Sequence, residues 1–303
     1  MVALNVWPEL QMCSPLAALY SALTPYAVGA WTVALIACLV AGRGRQRWIA
    51  LLAAGGLGLQ AAWMVPYLPG PERQAGEITV MTLNLRCVTN DPIQVLDAIE
   101  ETAPDVVVLA DIPTATLRGL TSLGFGDQYE YSFDQPTRRS RPGAVTRPCG
   151  THIAARGPVR LLAATSSDNP QHTVLIDLPQ ATLHLIAVDV ENIIQGRGIG
   201  PWAEDLESVR VGSAPLVDGP LVVLGDFNAV REHQPMRQLR ALGLVDAAEA
   251  SGAGWVRTFP AGRPLLAINH VMVGRALEPR TLRAIAVEGG DHLALVATLS
   301  LSE

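Results

Sequence analysis

Charge is scarce in this chain. Only 17 % of its 303 residues are Asp, Glu, Lys or Arg, against 49 % hydrophobic residues, and the formal net charge is −6. An acidic balance argues against a protein that coats duplex nucleic acid, because such binding is driven by a basic surface. The first 42 residues hold no Lys or Arg, so the basic start of a secretory signal peptide is missing. Four cysteines occur, Cys13, Cys38, Cys87 and Cys149, with no C-x-x-C pair. That excludes a zinc ribbon and a thioredoxin-like motif. There are no internal repeats and no low-complexity tracts.

The apolar excess is concentrated in the first seventy residues. Residues 16–42 and 48–68 carry no charge, and each run is long enough to cross a hydrocarbon core of about 30 Å as a helix. Arg43, Arg45 and Arg47 lie between them. A short loop with three arginines is expected to stay in the cytoplasm. The expectation is a multi-pass anchor in the cell membrane over 1–70, a helical hairpin in the lipid bilayer, with a second domain over 71–303 on the extracytoplasmic side. Pro25 is a point where the first span could break. The stretch PGPERQAG (69–76) is polar and rich in Pro and Gly, as domain boundaries are.

From residue 78 onward, strand and helix patterns mix. ITVMTLNLR (78–86) alternates like a strand, DPIQVLDAIEETAP (91–104) has helical spacing and stops at a proline, and DVVVLADI (105–112) is a doubly buried strand. GTHIAARGP (150–158), HTVLIDLP (172–179) and ATLHLIAVDV (181–190) read as strands, the last two as a hairpin. PWAEDLESVRVGSAPLV (201–217) and EHQPMRQLRALGL (232–244) read as helices. LVVLGDF (221–227), AINHVMVG (267–274) and DHLALVATLSL (291–301) complete the strands. Many central strands with a few helices between them imply a layered α/β domain with two packed sheets.

Polar groups collect where these strands begin or end. Asn84 follows the first, Asp111 the next, Asp226 and Asn228 follow LVVLG, and Asp291 with His292 opens the last. Oxygen donors of this kind suit Mg²⁺, Mn²⁺ or Ca²⁺ rather than a thiolate metal. His152, inside a strand, fits a core histidine better than a site residue. His233 is expected to be exposed at a helix start.

GDFNA (225–229), with TLNLR (82–86), PDVVVLAD (104–111), GTHIAAR (150–156), AINHVMV (267–273) and GGDHLALVATL (289–299) in that order, resembles the endonuclease/exonuclease/phosphatase superfamily. Trp202, Asp205 and TFPAG (258–262) resemble its membrane-anchored bacterial branch. The resemblance implies a deoxyribonuclease-I-like fold, a four-layered α/β sandwich, and metal-dependent hydrolysis of phosphoester bonds. By matched position, Asn84, Asp111 and Asp291 would hold the metal. Asp226 would activate water, Asn228 would orient water or phosphate, and His292 would contact the phosphate, oriented by Asn269. The expected cofactor is Mg²⁺, with Mn²⁺ or Ca²⁺ as alternatives. The substrate would be a phosphorylated small molecule, a lipid or a nucleic acid.

Three positions depart from the family pattern. Ala110-Asp111 stands where the family has Gln-Glu, and Asp is shorter by one methylene, about 1.5 Å. Asp189 lies near where the family carries a histidine on the phosphate side. A protonated carboxyl there could donate a hydrogen bond if burial raised its pKa. Asn269 replaces the aspartate that charges the last-motif histidine. A catalytically impaired relative acting as a binding or scaffold domain is therefore the alternative. Arg138 and Arg139, in a loop with Arg141 and Arg147, would offer phosphate a basic lip. Cys87 and Cys149 flank the expected active face and could pair in an oxidising compartment.

Overall fold

The structure is a computed structural model and describes residues 1–41, 46–71, 73–88, 90–136, 149–165, 169–194 and 198–302. It divides into two compact units: Met1–Leu68 with Glu232–Gln234, and Pro69–Arg231 with Pro235–Glu303.

The first unit is helical. Ser14 caps the helix Pro15–Ser21 by accepting from the Ala17 N–H at 3.1 Å, which satisfies one of the amides a helix start leaves open. Two longer helices follow, α1 (Ala27–Ala41) and α2 (Gln46–Met64). Gly56 of α2 leaves room for the Trp31 ring, which would lie 2.8 Å from an added Cβ. Buried polar groups pair within the unit: Gln60 Nε2 donates to Thr24 O at 2.6 Å and Asn5 Nδ2 to Thr24 Oγ1 at 2.8 Å, while Gln60 Oε1 has no hydrogen-bond partner among the described residues. Among the described residues, one unbroken helical stretch, Trp48–Tyr67, is long and apolar enough to cross a membrane, with a mean hydropathy of 1.6. The expected first span is not a single straight helix. Its two pieces, Pro15–Ser21 and Thr24–Val40, are bent by 49° at a break beside Pro25. Proline lacks the N–H that would continue the hydrogen-bond ladder. His233, expected to be exposed, is 3 % exposed, with Nε2 2.9 Å from the Ala18 carbonyl oxygen.

The second unit is built on two six-stranded sheets. In chain order the strands are β1 (Ile78–Asn84), β2 (Val106–Pro113), β3 (Tyr131–Pro136), β4 (Cys149–Ala155), β5 (Val159–Ala164), β6 (His172–Asp177), β7 (Thr182–Asp189), β8 (Leu221–Asp226), β9 (Val245–Asp246), β10 (Asn269–Val273), β11 (Leu277–Ile285) and β12 (Ala294–Leu301). One sheet runs β11-β12-β1-β2-β4-β3, the other β5-β6-β7-β8-β10-β9. Side chains alternate across each strand, which explains the layering. Ile78 and Val80 of β1, and Val106 and Val108 of β2, join Leu183, Leu185, Val222 and Leu224 of the second sheet in one core. Met81, Leu83, Val107 and Leu109 point the other way. They pack with Val95 and Ile99 of α3 (Pro92–Thr102) and Leu120 of α4 (Thr114–Ser122). α5 (Ile199–Ser213) supplies buried Trp202, Leu206 and Val209.

The sheets are mixed, and their polarity decides where chemistry collects. β1 runs parallel to β2, and β12 antiparallel to β1. β7 runs parallel to β8, and β10 antiparallel to β8. Asn84 and Asp226 end β1 and β8, while Asn269 begins β10 opposite Asp226. Gly225 makes this possible. Its φ is +143°, and a Cβ there would sit 1.9 Å from Val188 O of the neighbouring strand. Only glycine allows so close a backbone approach.

Candidate active site

Asp226 lies at the centre, 1 % exposed. Its Oδ1 accepts the Asn228 N–H at 2.8 Å, and its Oδ2 accepts from Asn84 Nδ2, also at 2.8 Å. The second bond joins the ends of β1 and β8, one from each sheet. Burial pushes the Asp226 carboxyl above the ordinary carboxylate value. His292, the Asn228 N–H and Asn84 pull it back in part. A buried carboxylate with a raised pKa is a stronger proton acceptor than an exposed one.

His292 faces Asp226 with its Nε2 3.8 Å from Oδ2, a gap too long for a direct hydrogen bond. Its Nδ1 lies 2.8 Å from Asn269 Oδ1. An amide oxygen only accepts, so Nδ1 carries the proton and neutral His292 keeps its lone pair on Nε2. Asn269 therefore preserves the tautomer that an aspartate would impose. What it lacks is the charge, and its Nδ2 is buried without a hydrogen-bond partner among the described residues. The Phe259 ring, 4.8 Å away between centroids, packs against the imidazole.

Asn84 Oδ1 accepts the Arg86 N–H at 2.7 Å. The Arg86 guanidinium pairs with Asp291 Oδ2 at 3.0 Å, while Asp291 Oδ1 is buried with no hydrogen-bond partner among the described residues. Arg86, within TLNLR, is a site residue beyond those the sequence motifs point to. The signal was available: a cation two residues past a strand-end Asn, in a region otherwise acidic.

Asn228, in the left-handed region at φ +45°, is engaged at both ends of its amide. Its Nδ2 donates to Val190 O at 2.8 Å and its Oδ1 accepts from Asn192 Nδ2 at 3.1 Å. It holds the loop after β7, and only the remaining lone pair and proton are left for water or phosphate. Asp189 sits beside Asp226 in the parallel register and is 3 % exposed. Gln171 brackets its backbone, accepting from the Asp189 N–H at 3.0 Å and donating to its carbonyl at 3.2 Å. Arg138 and Arg139 lie outside the described residues.

Asp111 lies at an irregularity of β2. The β2–β4 register shifts between Leu109 and Ile112, and Asp111 takes φ +50°. Its carbonyl accepts the Cys87 N–H at 2.8 Å. Cys87 and Cys149 form a disulfide with a Cα–Cα distance of 5.6 Å, within the usual range. An Asp111 carboxylate oxygen and the two sulfurs all lie within 4.8 Å of one another. His152, by contrast, is the core histidine expected: buried against Phe125, with burial pulling its pKa down to about 4.

Comparison with known proteins agrees with this architecture. Residues 81–292 match the Endonuclease/Exonuclease/phosphatase family, and the chain belongs to that family. Among solved structures, an endonuclease/exonuclease/phosphatase from Beutenbergia cavernae is 19 % identical with a TM-score of 0.55, covering 74 % of this chain and 72 % of its own. D. rerio TDP2 complexed with a single-strand DNA product is 16 % identical with a TM-score of 0.56, covering 73 % and 98 %. Sphingomyelinase C from Streptomyces griseocarneus is 16 % identical with a TM-score of 0.50, again covering 73 % and 98 %. At these identities the likeness is one of fold. No curated protein gives a significant match. The family includes hydrolases that act on phosphoester bonds and is in general dependent on a divalent metal.

The residues present fit a hard divalent cation. Asn84 and Asp291 supply oxygen donors, and the buried Asp291 Oδ1 is an acceptor that no protein group satisfies among the described residues. Such donors suit Mg²⁺, Mn²⁺ or Ca²⁺.

Proposed function

We propose that this chain is a membrane-tethered, extracytoplasmic, metal-dependent phosphoesterase. The observation that carries the reading is the linked set Asn84–Asp226–His292–Asn269, which joins residues of both sheets through a buried, hydrogen-bonded carboxylate and an oriented imidazole.

The roles follow from the atoms. Asp226, buried and raised in pKa, takes the proton of a water attacking phosphorus. His292 keeps its Nδ1–H on Asn269, so its Nε2 is directed at the gap before Asp226, where the imidazolium form donates its Nε2–H to a phosphoryl oxygen. Asn84 and Asp291, with Asp111 at the neighbouring strand end, would hold Mg²⁺, with Mn²⁺ or Ca²⁺ as substitutes. When bound, the cation would neutralise charge on the phosphate oxygens as water attacks. Arg86, held by Asp291, adds a positive group at the same end of β1.

The membrane part rests on the two uncharged runs, the arginines between them and the apolar helix Trp48–Tyr67. The disulfide supports an extracytoplasmic outer domain, because such bonds persist in oxidising compartments. A tethered outer domain favours a lipid-linked or extracellular substrate, and small phosphate esters and nucleic acid follow as alternatives. The competing reading, a domain kept for binding alone, is favoured by Asn269 and by the placement of Asp111.

The test is a panel of phosphomonoesters and phosphodiesters, including a sphingolipid headgroup ester and single-stranded DNA, with Mg²⁺, Mn²⁺ or Ca²⁺ and with chelator. Turnover that chelator stops and that Asp226→Ala and His292→Ala abolish supports the enzyme. Absence of turnover with every ion and substrate supports the binding domain. Protease protection in sealed vesicles reports the orientation: an outer domain cleaved only from the cytoplasmic face overturns it.

A further inference from the structure

We propose that Cys87, Cys149 and Asp111 form a second metal site, for a thiophilic divalent cation such as Zn²⁺, that opens when their disulfide is reduced. It stands apart from the hydrolytic reading, with which it shares only Asp111, and it rests on the two sulfurs.

The donor set is already gathered. The two sulfurs and an Asp111 carboxylate oxygen lie within 4.8 Å of one another. A tetrahedral zinc ion with Zn–S of about 2.3 Å needs its two sulfurs only about 3.8 Å apart. The 5.6 Å Cα–Cα distance of the pair therefore meets that need by side-chain rotation, with the strands left in place. Two sulfurs and one carboxylate oxygen are three protein ligands, and water completes the fourth position as in open zinc sites.

The backbone under these ligands is fixed by hydrogen bonds and not by the disulfide alone. The Cys87 N–H donates to Asp111 O at 2.8 Å, and the Leu85 N–H to Ala110 O at 2.9 Å. Cys149 pairs with Pro113 in the β2–β4 ladder. Opening the bond leaves three segments still held in register. Cys87 is half-buried and gives a reductant access, while Cys149 and Asp111 are buried.

The chemistry balances with a dithiol as reductant. The dithiol gives two electrons and two protons to the cystine, the S–S bond breaks to two thiols, and the dithiol becomes a disulfide. Zinc then displaces the two thiol protons to solvent. Soft sulfur separates this site from the oxygen-only donors Asn84 and Asp291. Zinc bound here ties up Asp111, so reduction with zinc present removes that carboxylate from the strand end beside Asn84.

The test uses the full-length chain, reduced with a dithiol, freed of it anaerobically and titrated with Co²⁺ as a coloured stand-in for zinc, then with Zn²⁺ in competition. Reduced wild type is expected to show thiolate-to-cobalt charge-transfer absorption that Zn²⁺ abolishes. The oxidised protein is expected to show none. Cys149→Ser and, separately, Cys87→Ser should lose the band, and Asp291→Ala should keep it. Asp111→Ala should weaken Zn²⁺ binding by at least about tenfold, since even losing an outer partner of a metal ligand costs about that much. No band in reduced wild type would overturn the proposal. So would Asp111→Ala binding as tightly as wild type. Because the reduced wild type is itself measured, the result does not depend on any variant folding.

Discussion

Replacing Asn269 with Asp should raise activity. Asn269 is 3 % exposed and holds its Oδ1 2.8 Å from His292 Nδ1, while its Nδ2 has no partner among the described residues. The substitution is isosteric and exchanges that idle group for a carboxylate oxygen. Positive charge that develops on the His292 ring would then lie about 4 Å from a new negative charge. At an effective dielectric of about 20 this is worth about 4 kcal/mol. Asp226 opposes part of the gain. It is the register partner of residue 269 and lies 3.8 Å from His292 Nε2, so it repels the new charge. A net gain of about 1.5–3 kcal/mol remains, or about 10–100-fold in kcat. The assay is hydrolysis of bis(p-nitrophenyl) phosphate at saturating metal, with the metal affinity of both proteins measured by calorimetry. An Asn269→Asp protein that folds, binds metal as wild type does and turns over no faster would refute the role given to His292.

Other perturbations probe the same network and its support. Asn84→Ala removes one of the bonds that hold the Asp226 pKa down, so that carboxyl should titrate higher still; a general base works only when ionised, and the acid limb of the pH–rate profile should move to higher pH. Gly225→Ala should destabilise the outer unit by more than about 3 kcal/mol in denaturant titrations, because the added methyl meets the Val188 carbonyl at 1.9 Å and φ is +143°. His270 and Asp246 form a buried pair at 2.9 Å; burial alone would lower the His270 pKa, but the hydrogen bond and charge of Asp246 leave it raised above 6.5, and Asp246 is lowered below 3.8. His270→Ala should cost about 3–5 kcal/mol between about pH 4 and pH 6.5. The His270 part of that gap should fade as pH rises through its folded-state pKa and the Asp246 part as pH falls through its own, which thermal melts across pH will show.

The strands with continuous apolar runs were legible because both of their faces are buried. DVVVLAD and LVVLGDF became β2 and β8, each buried along its whole length. β3, β5 and β11 were not read. All three sit at sheet edges, where one side lacks a partner strand and polar or exposed residues are tolerated. β11 carries a register shift between Pro279 and Thr281 that interrupts any alternation. Within the site, Asn84, Asp226 and His292 were legible as strand-end polar groups and Asn269 only through the family resemblance, and the sheet polarity brings them together. The gathering of Asp111 with Cys87 and Cys149 was not, because it follows from a register shift between β2 and β4 that the sequence pattern does not mark. The Arg86–Asp291 pair depends on a left-handed residue, Arg86 at φ +51°, a conformation no local pattern announces. The bend in the first apolar run had a visible cause in Pro25, but not a visible angle.

The most direct measurement is hydrolysis in ¹⁸O-labelled water with Mg²⁺ or Mn²⁺, comparing wild type with Asp226→Ala and reading label in the phosphate product by mass spectrometry. The expected result is one labelled oxygen per phosphoester cleaved by wild type and no product above background from Asp226→Ala. Equal product from both proteins, or no labelled product from wild type with any ion, would contradict the assignment of Asp226 as the base of a phosphoesterase.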